Sequence, residues 1–158
     1  MDPIGIAAGI MGAAFAIVFA GIGSAVGIGL VARVANGVLA EDPDKFGKLF
    51  ILVVLPGTQG FYGFLAAFLI IGKMYLLGEA PSGFTFTLWN GLQLLFASLP
   101  IAFTGLLSGI HQGKVCAAGA EMTAKRPNDS TKAVIYGAMV ETYAVLGLLI
   151  TIFLLQGI

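Results

Sequence analysis

Charge is what this 158-residue chain has least of: only 10% of its residues are charged, against about a quarter in soluble domains. Eight Lys plus Arg balance eight Asp plus Glu. No basic excess is left to meet phosphates, which excludes a nucleic-acid binder. The single cysteine, Cys116, excludes an internal disulfide and any thiolate metal cluster. The sequence also lacks a G-x-x-x-x-G-K-[ST] loop, so ATP chemistry has to reside elsewhere. What is abundant is apolar. Hydrophobic residues make up 58% of the chain, mean hydropathy is +0.99, and 23 residues are glycine. This composition excludes an ordinary cytosolic enzyme and a disordered chain, and it belongs in a bilayer.

A membrane-spanning helix needs roughly 20 mostly apolar residues. Four stretches qualify, at about 4–31, 49–77, 86–115 and 133–155. Backbone in lipid must satisfy its own hydrogen bonds, so an all-α membrane protein with four spans is expected. The first stretch is expected to be retained, since Met1-Asp2-Pro3 offers no positive leader and the apolar run is too long for a signal peptide. Two polar connections, Glu41-Asp42-Pro43-Asp44-Lys45 and Lys125-Arg126-Pro127-Asn128-Asp129, each carry a helix-stopping proline. Seven of the eight basic residues lie in or beside them, and only Lys73 does not. The positive-inside rule then puts both connections in the cytoplasm and both termini outside.

Shifted by 84 residues, the chain overlays itself without a gap. Phe19 meets Phe103, Gly21 meets Gly105, Ser24 meets Ser108, Pro43 meets Pro127 and Thr58 meets Thr142. The chain therefore reads as two tandem copies of one helical hairpin, 1–80 and 84–158, in the same orientation. Small residues recur every fourth position at Gly21, Ala25 and Gly29, and again at Gly105, Gly109, Gly113 and Ala117. Such rows let helix backbones approach closely. They fit packing inside one four-helix bundle, and they fit better a ring of many hairpins with the first and third helices inside.

Glu141 is the one acidic residue that falls inside an apolar stretch rather than in a loop, terminus or helix end. A charge near the bilayer centre costs at least about 2.5–3.5 kcal/mol. A carboxylate there wants a proton or a cation, or serves as a protonated structural hydrogen-bond partner. Its repeat counterpart is Gly57, around which other oxygen groups collect. Leu55, Thr58, Gln59 and Tyr62 share one helix face by their i, i+3, i+4, i+7 spacing. Pro56 lacks an N–H and leaves a carbonyl one turn earlier without its usual partner. Gln112 adds an amide from the third stretch. An oxygen-only set with one carboxylate suits a small hard monovalent cation, whereas transition metals ask for nitrogen or sulfur.

Four segments together, Leu55-Pro56-Gly57-Thr58-Gln59-Gly60, Leu99-Pro100-Ile101-Ala102-Phe103-Thr104-Gly105, Gly109-Ile110-His111-Gln112-Gly113-Lys114 and Met139-Val140-Glu141-Thr142-Tyr143-Ala144, resemble the proteolipid of bacterial V-type ATPases, their subunit K. The resemblance covers essentially the whole chain. It implies a non-catalytic subunit of a homo-oligomeric rotor ring, embedded in lipid, that turns against a stator membrane subunit whose arginine discharges the site. A central-stalk subunit would meet the cytoplasmic loops. It also implies that Glu141 carries Na⁺ or H⁺, with Leu55 (backbone oxygen), Thr58, Gln59 and Gln112 as the other Na⁺ ligands and Tyr62 hydrogen-bonding the glutamate to close the site. The ligand set matches the Na⁺-binding members without departure, which favours Na⁺ over H⁺. A small proton-coupled multidrug exporter is a rival tetraspan reading, but such proteins are shorter and carry the glutamate in the first helix. His111 is expected to be solvated or to face a loop, Cys116 to be a packing residue, and Trp89 to be an interfacial anchor.

Overall fold

The computed structural model describes residues 2–158. Helix α1 (Pro3–Glu41) starts at Asp2, whose carboxylate accepts from the Ile4 N–H at 3.0 Å, and Pro3 supplies a first-turn residue that needs no donor. It ends where Asp42 turns extended before Pro43. The second span is two helices, α2 (Phe46–Val54) and α3 (Thr58–Lys73), joined by one tighter 3₁₀ turn at Leu55–Gly57 around Pro56. Helix α4 (Leu88–Lys125) begins with a reciprocal cap: Thr87 N–H donates to Asn90 Oδ1, and Asn90 N–H donates to Thr87 Oγ1. Helix α5 (Ser130–Gln156) follows the Pro127–Asp129 turn. No strand occurs among the described residues. All four spans are long and apolar enough to cross a membrane.

Two helices outrun their apolar stretches. Helix α1 has 39 residues, roughly 58 Å at 1.5 Å per residue, about twice the hydrocarbon thickness. The polar segments after Val31 and Val115 hold no proline before Pro43 and Pro127, so nothing stops either helix until those turns. The second span, by contrast, ends at Lys73, short of the apolar run to Leu77. Tyr75 takes a left-handed φ of 54°, and its ring packs edge-on against Phe84 at 4.8 Å, which turns the chain back toward α4.

Helices α1 and α4 make the closest pair. A Cβ on Gly23 would lie 2.5 Å from the Gly105 carbonyl oxygen, and one on Gly109 would lie 2.6 Å from the Gly23 carbonyl carbon. Glycine at these positions is what lets backbone meet backbone. Helix α3 lies on α1 through Gly63, whose Cβ would fall 2.5 Å from the Ala16 carbonyl oxygen, and α5 lies on α4 with Gly147 against Thr104. The result is two hairpins side by side, as the 84-residue overlay requires. An apolar core including Ile70, Leu94 and Ile101 fills one end, and Val31, Leu49, Leu52, Cys116 and Ala120 fill the other. Phe61, Phe64, Phe68 and Phe153 stand on the outside, as lipid solvent permits. At the polar end Lys45 Nζ donates to the Ala124 carbonyl at 2.8 Å, tying the first connection to the end of α4.

Candidate ion-binding site

Glu141 lies near the middle of α5, since that helix opens at Ser130 rather than at Ala133. Its carboxylate is half-buried, at the edge where α5 turns from the protein toward the apolar exterior of Met139, Tyr143 and Leu146. Two neighbours hold it. Tyr62 Oη donates to Oε1 at 2.6 Å, and Gln112 Nε2 donates to Oε2 at 3.3 Å and to the Gly137 carbonyl at 3.0 Å. Gln59 Nε2 donates to Gln112 Oε1 at 2.6 Å. Both glutamines are fully buried, where an unpaired amide would cost several kcal/mol on a cyclohexane reference. Thr58 Oγ1 donates to the Leu55 carbonyl at 3.0 Å, and the oxygen lies 3.5 Å from Gln59 Oε1.

All six residues singled out in the sequence thus fall in one continuous chain of polar contacts: Leu55, Thr58, Gln59, Gln112, Glu141 and Tyr62. Three spans contribute to it. The oxygens it gathers are a backbone carbonyl, a hydroxyl, two amide oxygens and a carboxylate. No cluster of three His, Cys, Asp or Glu occurs among the described residues. The donor set is hard and carries one negative charge, which matches an alkali cation or a proton rather than a transition metal.

The local break at Pro56 sets the geometry of the first three groups. Proline removes the N–H that would return to Leu52, and the turn tightens to 3₁₀. Ser24 supports this turn from α1, a role the sequence did not reveal. The Gly60 N–H donates to Ser24 Oγ at 2.7 Å, and Ser24 is buried. The pattern showed only that Ser24 overlays Ser108. Ser24→Ala deprives Gly60 of this acceptor and is expected to cost about 1 kcal/mol. A lower unfolding temperature by circular dichroism in detergent checks it, and an unchanged one would mean that Gly60 is satisfied within its own helix. The Gly137 carbonyl is a second group the sequence did not flag. A Cβ at Gly137 would come within 2.8 Å of Cys116 Sγ, so Cys116 fills the space this glycine leaves.

Among the described residues the other half of the repeat does not carry the same set of groups. At the 84-residue offset Gly57 stands for Glu141, Ile28 for Gln112 and Tyr143 for Gln59. His111 does not face a loop. It is exposed on α4 within the helical span, fourteen residues before its end at Lys125. It lies beside Gln112 in sequence but points to another face, toward a groove shared with Ser108 and Tyr143.

The family model for the C subunit of ATP synthase matches the chain twice, over residues 11–70 and 95–154. The two matches start at the interval of the internal overlay. The chain is 49% identical to V-type sodium ATPase subunit K of Enterococcus hirae, over 92% of this chain and 88% of that one. It is 34% identical to the 16 kDa proteolipid of the V-type proton ATPase of Nephrops norvegicus, again over 92% and 88%. It is 38% identical to A-type ATP synthase subunit K of Methanocaldococcus jannaschii, over 95% of this chain but only 62% of that longer protein. With its four spans, duplicated hairpin and matched repeats, the chain belongs to the ATP synthase C-subunit family, among the membrane proteolipids of V-type ATPases.

Proposed function

We propose that this chain is the ion-carrying subunit of a V-type ATPase rotor ring and that its cargo is Na⁺. The observation that carries this is the polar chain from Leu55 to Glu141: five oxygen groups from three spans, with one carboxylate at its lipid edge, closed by Tyr62. The chain's 49% identity to a subunit named for sodium supports Na⁺ over H⁺. Bound cation neutralises Glu141, so the loaded site crosses the lipid face at low cost. The emptied carboxylate is charged, and exposure to hydrocarbon costs it at least about 2.5–3.5 kcal/mol. It therefore stays where a stator arginine or a water-filled half-channel compensates it. This asymmetry couples ion passage to rotation, and hydrolysis of ATP falls to other subunits. The basic connections lie on the cytoplasmic side by the positive-inside rule, where a central-stalk subunit meets them.

A carboxyl-reactive carbodiimide tests the cargo directly, because it attacks only the protonated acid. In purified rings Na⁺ is expected to protect Glu141 at constant pH. Protection by raised pH alone would make the ring a proton carrier and leave Thr58, Gln59 and Gln112 as hydrogen-bond partners. A Glu141 that reacts under no condition would remove it from the exchangeable site.

A further inference from the structure

Gln112 and Cys116 are one helical turn apart on α4, and Gly137 and Glu141 are one turn apart on α5. Each pair shares a helix face, and the two faces meet. Gln112 and Cys116 are both fully buried. Gln112 Nε2 donates to the Gly137 carbonyl at 3.0 Å and to Glu141 Oε2 at 3.3 Å. The same carbonyl lies in unbroken α5, where helix geometry pairs it with the N–H of Glu141. A carbonyl oxygen has two lone pairs, and both are used here. One atom thus ties the backbone of Glu141 to the side chain of Gln112.

This tie decides which end of the Gln112 amide faces the site. The NH₂ group has two protons, and they go to Gly137 and Glu141. The oxygen is left facing Gln59, whose Nε2 donates to it at 2.6 Å. Turned end for end, the amide would set its oxygen against the Gly137 carbonyl and the Glu141 carboxylate. Its NH₂ would then meet that of Gln59. Mismatched polar groups in a buried network are costly. Of the two acceptors, the carboxylate is the one whose partners change as a cation comes and goes. The Gly137 carbonyl is the constant one.

Glycine is what makes the tie possible. A Cβ at position 137 would lie 2.8 Å from Cys116 Sγ and 3.3 Å from Leu55 Cδ1. Cys116 has little room to yield, since it shares a packed cluster with Leu49, Leu52, Ala120 and Ala133. A side chain at 137 therefore pushes α5 off α4 and lengthens the bond to Gln112. It also presses on Leu55, whose carbonyl belongs to the polar chain. The first hairpin offers a comparison. Eighty-four residues earlier, Val53 stands for Gly137, Ala32 for Cys116 and Ile28 for Gln112. Where no amide has to be held, the position of Gly137 carries a branched side chain.

We propose that Gly137 is a positioning residue of the ion site: its carbonyl, brought up to Gln112 by the missing side chain and backed by Cys116, fixes the amide with its oxygen toward the cation. Gly137 touches no cation itself. This rests on the Na⁺ reading above and adds to it a group that sets affinity from outside the ligand set.

Carbodiimide labelling of Glu141 in purified rings tests it, through the Na⁺ concentration that gives half protection at constant pH. Gly137→Ala is expected to raise that concentration roughly tenfold or more, as loss of a partner behind a metal ligand does. Labelling without Na⁺ and the mass of the ring are expected to stay as in the wild type. Adding Cys116→Ala opens the space that the new Cβ needs and is expected to bring the concentration back toward the wild-type value. An unchanged concentration in the single variant overturns the proposal, and so does a double variant as weak as the single one. A wild-type ring that Na⁺ does not protect overturns the Na⁺ reading itself, and the positioning role falls with it. Solid-state NMR of isotope-labelled wild-type rings covers the case in which Gly137→Ala does not assemble. A short-range transfer between the Gly137 carbonyl carbon and Gln112 Nε2 is expected with and without Na⁺. Its absence in either state overturns the proposal.

Discussion

Glu141→Gln is expected to abolish Na⁺ transport completely while leaving rings that assemble normally. The substitution is nearly isosteric. The amide oxygen still accepts from Tyr62 Oη, which lies 2.6 Å from the native carboxylate, so the closing contact survives. The contact with Gln112 Nε2, 3.3 Å long in the native chain, is lost when an NH₂ faces it, at a cost of about 1 kcal/mol. That is too little to undo a membrane-spanning helix. What disappears is the only negative charge in the polar chain. A neutral site has neither a reason to hold a cation nor a cost to face lipid when empty, so both the load and the directional barrier vanish. Transport of ²²Na⁺ into vesicles carrying the reconstituted complex, beside the mass of the ring, checks this. Normal transport by the variant would reduce Glu141 to a structural hydrogen-bond partner.

Gly27→Leu is expected to be the most damaging single change to the fold. A Cβ at Gly27 runs into the Gly109 carbonyl oxygen, and at 2.7 Å it meets the Pro56 ring. Neither neighbour is the flexible end of a side chain. One is helix backbone, and the other is the proline that shapes the turn offering the Leu55 carbonyl. Overpacking usually costs roughly 1–3 kcal/mol, and here relief requires α1 to move away from both α4 and the site. Loss of stable folded protein in detergent, read by circular dichroism and yield, is the expected result. Gly37→Ala is the control, because a Cβ there meets nothing within 4 Å. It is expected to be neutral or to stabilise by up to about 1 kcal/mol through helix propensity.

The sequence made the broad architecture legible because hydrocarbon permits so few solutions. Once four apolar stretches and an 84-residue overlay were visible, two tandem hairpins followed. Glu141 stood out because a carboxylate in an apolar run has to be explained by chemistry, and the i, i+3, i+4, i+7 face collected Leu55, Thr58, Gln59 and Tyr62 before any coordinates were needed. Less was legible where the cause was tertiary. Apolarity locates the lipid-embedded part of a helix, not its ends, so α1 and α4 reach their proline stops at Pro43 and Pro127 well beyond the apolar runs. The halt of α3 at Lys73 depends on a left-handed Tyr75 packed on Phe84, a contact between residues on either side of a turn. Ser24 escaped notice because a serine in a glycine-rich helix reads as one more small residue until the opposing backbone is in place. His111 is expected to be solvated or to face a loop because the third apolar stretch ends at about residue 115, and the helix in fact continues to Lys125, leaving His111 exposed within the helical span.

The silent half of the repeat has an energetic consequence. The position equivalent to Glu141 is Gly57, so a closed ring carries one charge for every four helices rather than one for every two. Moving one elementary charge against 100 mV costs about 2.3 kcal/mol. A turn of the ring delivers a fixed amount of work from the nucleotide side. Divided among half as many ions, that work lifts each one against about twice the electrochemical gradient that a ring of the same circumference, with a carboxylate in every hairpin, sustains. The glycine at position 57 thus acts as a gear choice: fewer ions per revolution, each driven up a steeper hill.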